Sequence, residues 1–222
     1  TFRYALMCIP IGLTLSFFLA LLLNSAVKGI KVFRILYYLP VLIPGLAMSI
    51  IYADMFDYPG GIINQIVVSL GGKAVPFFED PGIIMPWYMV AGFFGLGGNM
   101  IMWLAALANV PKQLIEAAKI DGARGIRVLF SVIIPMCTPI IFYNLINSVI
   151  TSLQIFDTYA SLGVGPEESM YFIVILIYRV GFESYQMGFA CAVAWMLFVV
   201  IALLTLVMFK TQKWVVYLDE ES

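Results

Sequence analysis

The chain contains no histidine, and of its 222 residues only 11% are charged and only three are cysteines. Without His there is no Ser–His or Cys–His couple, and no paired carboxylates sit in an apolar setting, so an intramembrane enzyme has no support. Cys8, Cys137 and Cys191 all fall inside apolar runs. They have neither metal-ligand spacing nor a pairing context and read as small buried hydrophobes. A phosphate cradle is also missing, because Gly72-Lys73 is followed by Ala74 and lacks the upstream Gly of a P-loop. Finally, Asp, Glu, Lys and Arg are absent from the central parts of the long apolar runs. A proton- or cation-coupled transporter needs a counter-charge along its path, so that energy source is unsupported too.

What the chain has in abundance is apolar surface: 63% hydrophobic residues and a mean hydropathy of +1.00. Those values describe an all-α polytopic membrane protein, with each crossing needing roughly 20 residues. Apolar runs of spanning length occur at about 4–23, 35–56, 83–108, 128–156 and 186–209. Five crossings in one transmembrane domain over residues 1–222 are therefore expected, with outer loops at 57–82 and 157–185 and an inner loop at 109–127. Basic residues set the orientation. Lys28, Lys31, Arg34, Lys112, Lys119, Arg124, Arg127, Lys210 and Lys213, nine of the twelve, fall on one side if the spans alternate. The positive-inside rule makes that side cytoplasmic, with Thr1 outside and the C-terminus inside. Met170 to Val180 is apolar but about half a spanning length, and is expected as an outer surface or re-entrant helix. The acidic Asp219-Glu220-Glu221 is expected as a solvated terminus.

Two features carry chemistry. The fourth run bears Asn144, Asn147, Ser148, Thr151, Ser152 and Gln154, and Asn144, Ser148 and Thr151 or Ser152 share a helix face by their spacing. Such a strip fits either interhelical hydrogen bonding or the wall of a path for an uncharged polyhydroxy solute. In the third run, Phe93-Phe94-Gly95 lies between further glycines, which permit close helix approach, while Phe93 and Phe94 offer faces on which a sugar ring could stack. Paired prolines, Pro40 with Pro44 and Pro135 with Pro139, predict bent helices whose freed carbonyls can face a pathway. The second feature is a charged island, Glu116 to Ala123. Pro111 is a favourable first-turn residue, Lys112 to Ile120 has helical composition, and Gly122 ends it. Leu114, Ile115 and Ala118 form an apolar flank, while Glu116, Lys119 and Lys112 are accessible. A plain connector and a docking helix both fit this pattern.

Glu116-Ala117-Ala118, three residues, Gly122, nine residues, then Val132-Ile133-Ile134-Pro135 resembles the EAA loop of inner-membrane permease subunits of ABC importers. Arg34 to Pro40 followed by Pro44, Leu162-Gly163-Val164-Gly165-Pro166, and Tyr185 to Phe209 extend the resemblance to sugar permeases of the maltose and glycerol-3-phosphate type. The resemblance implies a type I ABC importer transmembrane domain, with an inner coupling helix and an outer interfacial helix. It implies a prokaryotic inner-membrane location and the import of a carbohydrate or polyol by alternating access. It also implies that Glu116, Ala117, Ala118, Asp121 and Gly122 dock an ATPase subunit, Asp121 capping the helix that follows. The resemblance puts the solute path beside Phe93, Gly95, Ser148 and Ser152, the same wall to which the polar strip and the phenylalanine pair add Phe94, Asn144 and Thr151 as candidates. The expected partners are a second permease subunit, an ATPase dimer that holds ATP and Mg, an extracytoplasmic solute-binding protein, the solute and membrane lipid, with no nucleic acid. No cofactor is expected on this chain. The family core has six spans, so a first span is expected upstream of Thr1. The competing reading is a passive channel or scaffold bundle whose inner loop only anchors a partner.

Overall fold

The computed structural model describes residues 1–25 and 28–216, and every described element is helical or irregular. The tail at Asp219 to Glu221 lies outside the described residues. Helix α1, Phe2–Leu23, is one apolar rod in spite of Pro10. At Pro10 the Thr14 hydroxyl donates to the Pro10 carbonyl at 2.7 Å. Arg34 closes the inner end of α1 by donating Nε and Nη2 to the Leu23 carbonyl at 3.1 and 2.7 Å. A guanidinium there satisfies a terminal acceptor and complements the negative end of the helix.

The runs expected at 35–56, 83–108 and 128–156 are not continuous helices. The second divides into α2, Ile30–Tyr38, a 3₁₀ turn over Leu39–Leu42, and α3, Gly45–Met55, with a bend of 102°. Pro40 and Pro44 lack the N–H groups that would carry the helix through. An outer cap follows, containing α4, Ile62–Ser69. The third run divides into α5, Ile84–Gly92, a 3₁₀ turn at Phe93–Gly95, and α6, Gly97–Ala108, bent by 51°. Gly97 has a packing reason: a Cβ there would collide with the Tyr37 carbonyl, so only glycine lets α6 approach α2 this closely.

Helix α7, Lys112–Ile120, forms the inner loop. Beyond it, α8, Ile126–Val128, a π-helical turn at Leu129–Ile133 and α9, Ile134–Met136, lead to α10, Thr138–Leu153. The bend in this run is 69°, beside Pro135 and Pro139. After α10 come α11, Tyr159–Leu162, and α12, Ile173–Tyr178, the latter continued by a π turn at Arg179–Glu183. Residues 173–183 are about 16 Å long as helix, half a bilayer core, and are not among the segments apolar and long enough to cross. Helix α13, Met187–Lys210, is the last rod. Two helices could cross alone, and five spans result if each bent pair is one crossing.

The core is distributed. Its inner cluster joins Ala20, Leu23, Met100, Trp103, Leu107 and Cys137. There α1 and α6 are pinned where the buried Trp103 indole donates to the buried Ser16 hydroxyl at 3.0 Å, with Phe17 edge-on to the indole at 5.1 Å. An outer cluster surrounds Phe56, Phe77 and Ala91, with Trp87 edge-on to Phe77 at 4.6 Å. Under it, the fully buried Asn64 ties the cap together. Its amide donates to the carbonyls of Asp57 (2.7 Å) and Val75 (3.0 Å) and accepts from the Val75 N–H (2.8 Å).

Asn64→Leu should thus strand the Val75 amide and two carbonyls, at a cost of roughly 1–3 kcal/mol. A lowered thermal midpoint in detergent, with faster hydrogen exchange at Val75, is the expected result.

Candidate functional site

The inner loop is built around the end of α7. Asp121 occupies the C-cap, its N–H bonded to the Ala117 carbonyl at 3.0 Å. Gly122 follows with φ of +82°, donating to Lys119 at 3.1 Å, and Ala123 donates back to Ala118 at 2.9 Å. These two reversed bonds make a Schellman motif, in which the left-handed position strongly prefers glycine. Ala123 is buried against the turn. The role expected of Asp121 as cap of the next helix is corrected here: that helix starts at Ile126 with Gly125 at its N-cap. Ile115 packs onto the inner core cluster, while Glu116, Ala117, Lys119 and Asp121 are exposed and Ala118 is half-buried. Two residues that sequence reasoning passed over are Ile120 and Ile126, 87% and 75% exposed on either side of the turn. They leave bare apolar side chains on either side of an otherwise polar turn.

Within the bundle, a cavity of about 480 Å³ opens between α1, the α5–α6 break and the outer end of α10. Gly95, Ser148, Thr151 and Ser152 come together on its wall, with Gly12, Tyr88, Asn99 and Gln154. Ser148, Thr151, Ser152 and Ile155 follow one another at spacings of three, one and three, so one stripe of α10 and its continuation faces the hollow. A second cavity of about 230 Å³ lies beside the α2–α3 break and shares Tyr88, Gly92, Gly95 and Asp157 with the first. Three residues expected on this wall lie elsewhere. Phe93 and Phe94 line a separate apolar hollow of about 810 Å³ with Leu15, Phe18 and Tyr37, because the 3₁₀ turn swings them away from Gly95. Asn144 is buried, and among the described residues neither atom of its amide has a partner.

Asp157 is the functional candidate that sequence reading missed. Placed directly after an apolar run ending near residue 156, it reads as a loop residue. The helix ends earlier, at Leu153, and α11 packs back onto α3, which buries Thr158 and brings the still exposed Asp157 to the cavity rim. The Ser49 hydroxyl donates to the Asp157 carbonyl at 2.8 Å, and the carboxylate rests against Gly45 in the first turn of α3. The available signal was weak: Gln154 and Asp157 are both polar and three residues apart at the end of a polar strip.

Outside the spans, Tyr159, Arg179 and Glu183 form an ordered cluster. The Tyr159 hydroxyl donates to Glu183 Oε1, and Arg179 donates Nε to Oε2 at 3.2 Å, with its guanidinium 5.5 Å from the Tyr171 ring centre. The hydrogen bond from Tyr159, then that from Arg179, holds the Glu183 carboxyl below its ordinary range, and the same bond raises the Tyr159 phenol.

A family profile described as "Binding-protein-dependent transport system inner membrane component" matches residues 8–216. The Bacillus subtilis (strain 168) protein "Probable ABC transporter permease protein YesP" is 32% identical over 228 residues, covering 100% of this chain and 74% of that protein. The "sn-glycerol-3-phosphate transport system permease protein UgpA" of Yersinia pestis bv. Antiqua (strain Antiqua) is 28% identical over 215 residues, covering 95% and 72%. In fold, the chain is similar to one from a bacterial alginate ABC transporter in complex with an alginate pentasaccharide-bound periplasmic protein. The TM-score is 0.81 at 21% identity, covering 95% of this chain and 76% of the other.

Two outcomes follow from the geometry. Gly122→Ala places a Cβ at a left-handed position and should destabilise the loop by roughly 1–2 kcal/mol, read as faster amide exchange at Ala123. Glu183, whose folded pKa is depressed, contributes stability above the ordinary glutamate pKa and loses it as pH falls through the depressed value. A carbon-13 NMR titration of its carboxyl should show that depressed value, rising toward the ordinary one in Tyr159→Phe.

Proposed function

The chain belongs to the family of binding-protein-dependent transport system inner membrane components, and from that premise we propose that it moves a carbohydrate or related polyol into the cytoplasm by alternating access. It is a multi-pass membrane subunit of a binding-protein-dependent importer and is not itself an enzyme. A relative named for sn-glycerol-3-phosphate transport supports a polyhydroxy solute and leaves its charge open. The single observation that carries the reading is the neutral polar stripe of Ser148, Thr151 and Ser152 facing a 480 Å³ cavity beside two broken spans. A hydroxyl-rich solute needs such a wall of fixed hydrogen-bonding groups.

In this reading α7 is the coupling helix. Glu116, Ala117 and Ala118 enter a cleft on a separate ATPase subunit, and Asp121 and Gly122 close the helix so that its end is rigid. The bare Ile120 and Ile126 are covered by the same partner. ATP and Mg reside on the ATPase pair, and closure of that pair rocks this chain against a second permease subunit. Force delivered at the inner loop reaches the cavity through α10, which leaves the loop across the π turn and the bend at Cys137. Gly95, Ser148, Thr151 and Ser152 contact the solute, which an extracytoplasmic binding protein delivers. The basic residues of the inner loops support a cytoplasmic C-terminus.

Reconstitution in vesicles with all partners tests this. Uptake should require both ATP and the binding protein, and solute passage without either would favour a passive channel and overturn the reading. Glu116→Lys should lower uptake by about tenfold or more, since reversing a docking charge costs well over 1.4 kcal/mol, with membrane insertion unchanged.

A further inference from the structure

Asp157 changes what the cavity can accept. Among the described residues lining the two joined cavities, it is the one charged group, and neither wall carries Lys or Arg. Its place is fixed from both sides. Ser49 holds its carbonyl at 2.8 Å, and the carboxylate lies so close to Gly45 that any Cβ there would overlap it. Gly45 opens the eleven-residue α3, so the carboxylate sits at the positive end of that helix.

The hydroxyls nearby reinforce the same sign. Thr151 donates to the Asn147 carbonyl at 2.9 Å and Ser152 to the Val149 carbonyl at 3.1 Å. Their protons are thus committed to the helix, and lone pairs are what they turn to the cavity. Tyr88, Asn99 and Gln154 add neutral donors to the same wall, so its one net charge is the carboxylate's and it has no positive group to offset it. A neutral polyol supplies O–H donors to such a wall. A carboxylate or phosphate supplies acceptors and a repelled charge, without a basic residue to receive it.

We propose that Asp157, held against Gly45 in the wall that also carries Thr151 and Ser152, is a specificity-determining residue that makes this chain's side of the solute path favour neutral polyhydroxy solutes and reject anionic ones. This rests on the reading of the cavity as the solute path.

Cys8 lines the same cavity and provides a probe that needs no knowledge of the solute. A sphere of 480 Å³ is about 10 Å across, comparable with the screening length at physiological salt. A thiol on that wall therefore feels the carboxylate. The complete importer, with Cys137 and Cys191 replaced by Ser and its partners' thiols removed, is treated with cationic, anionic and neutral methanethiosulfonates. Rates at Cys8 are divided by those of a free thiol in solution. The cationic reagent should react about tenfold or more faster than the anionic one. That preference should collapse to within about threefold in Asp157→Asn and persist in Asp157→Glu, which retains the charge. A ratio near one in the parent, or a ratio unmoved by Asp157→Asn, overturns the proposal. The neutral reagent tests the underlying path separately: its rate should change between the nucleotide-free and ATP–vanadate states as the cavity opens and closes. A rate indifferent to nucleotide overturns the path reading, and with it the selectivity, even where the charge ratio behaves as expected.

Discussion

Inside a bilayer a backbone N–H or C=O has no water to turn to, so a spanning helix can break only where the freed groups meet protein or a wetted cavity. Among the described residues, three of the five candidate crossings are bent helix pairs, with bends of 102°, 51° and 69°. Two of these breaks, at Pro40–Gly45 and at Gly92–Leu96, border the joined polar cavities, as does the early end of α10. Cavity and breaks therefore depend on one another. The breaks supply irregular backbone that a lipid-facing surface would not tolerate, and the cavity gives that backbone polar surroundings. Ser49 shows the dependence at one hydroxyl, whose single proton is shared between the Leu46 carbonyl of its own helix and the Asp157 carbonyl of the unwound segment after α10.

The third break serves the inner side. Between α7 and α10 the chain passes through a π turn and Pro135, with Pro139 in the first turn of α10 and Cys137 buried in the same cluster as Trp103 and Leu23. That cluster also receives Ile115 from the inner loop. The surface helix is consequently anchored on the packing that holds α1 to α6, rather than hanging from a flexible connector. Under the proposed docking role, a push at Glu116 or Ile120 would pass through these packed side chains into the helix that carries Ser148 and Ser152, which would let a chain with no ionisable group in the middle of its apolar runs respond to energy released elsewhere.

Much of this was legible in the sequence because the signals are local or periodic. The bounds of α7 follow from Pro111 and Gly122, and the bends of the second and fourth runs follow from proline pairs. The stripe of Ser148, Thr151 and Ser152 follows from helical spacing. Legibility failed where a few degrees of backbone rotation decide direction. Phe93 and Phe94 adjoin Gly95 in sequence, yet a 3₁₀ turn sends them to an apolar hollow while Gly95 stays on the polar wall. Asp121 looked like the start of a helix and is the end of one, because the chain remains irregular as far as Gly125.

The sequence by itself determined that this is a helical membrane protein, where its apolar runs lie, and which inner loop is ordered and exposed, since composition, run length and capping residues act over a few neighbours. Tertiary structure alone decided what the cavity holds. Gly45 and Asp157 are more than a hundred positions apart, and no local pattern places an aspartate after one span against the first turn of another. That juxtaposition exists because α10 stops at Leu153 and α11 folds back onto α3. A carboxylate that reads as a loop residue in sequence thereby lines the cavity while remaining exposed, because its place against α3 is fixed by long-range packing and not by its neighbours in the chain.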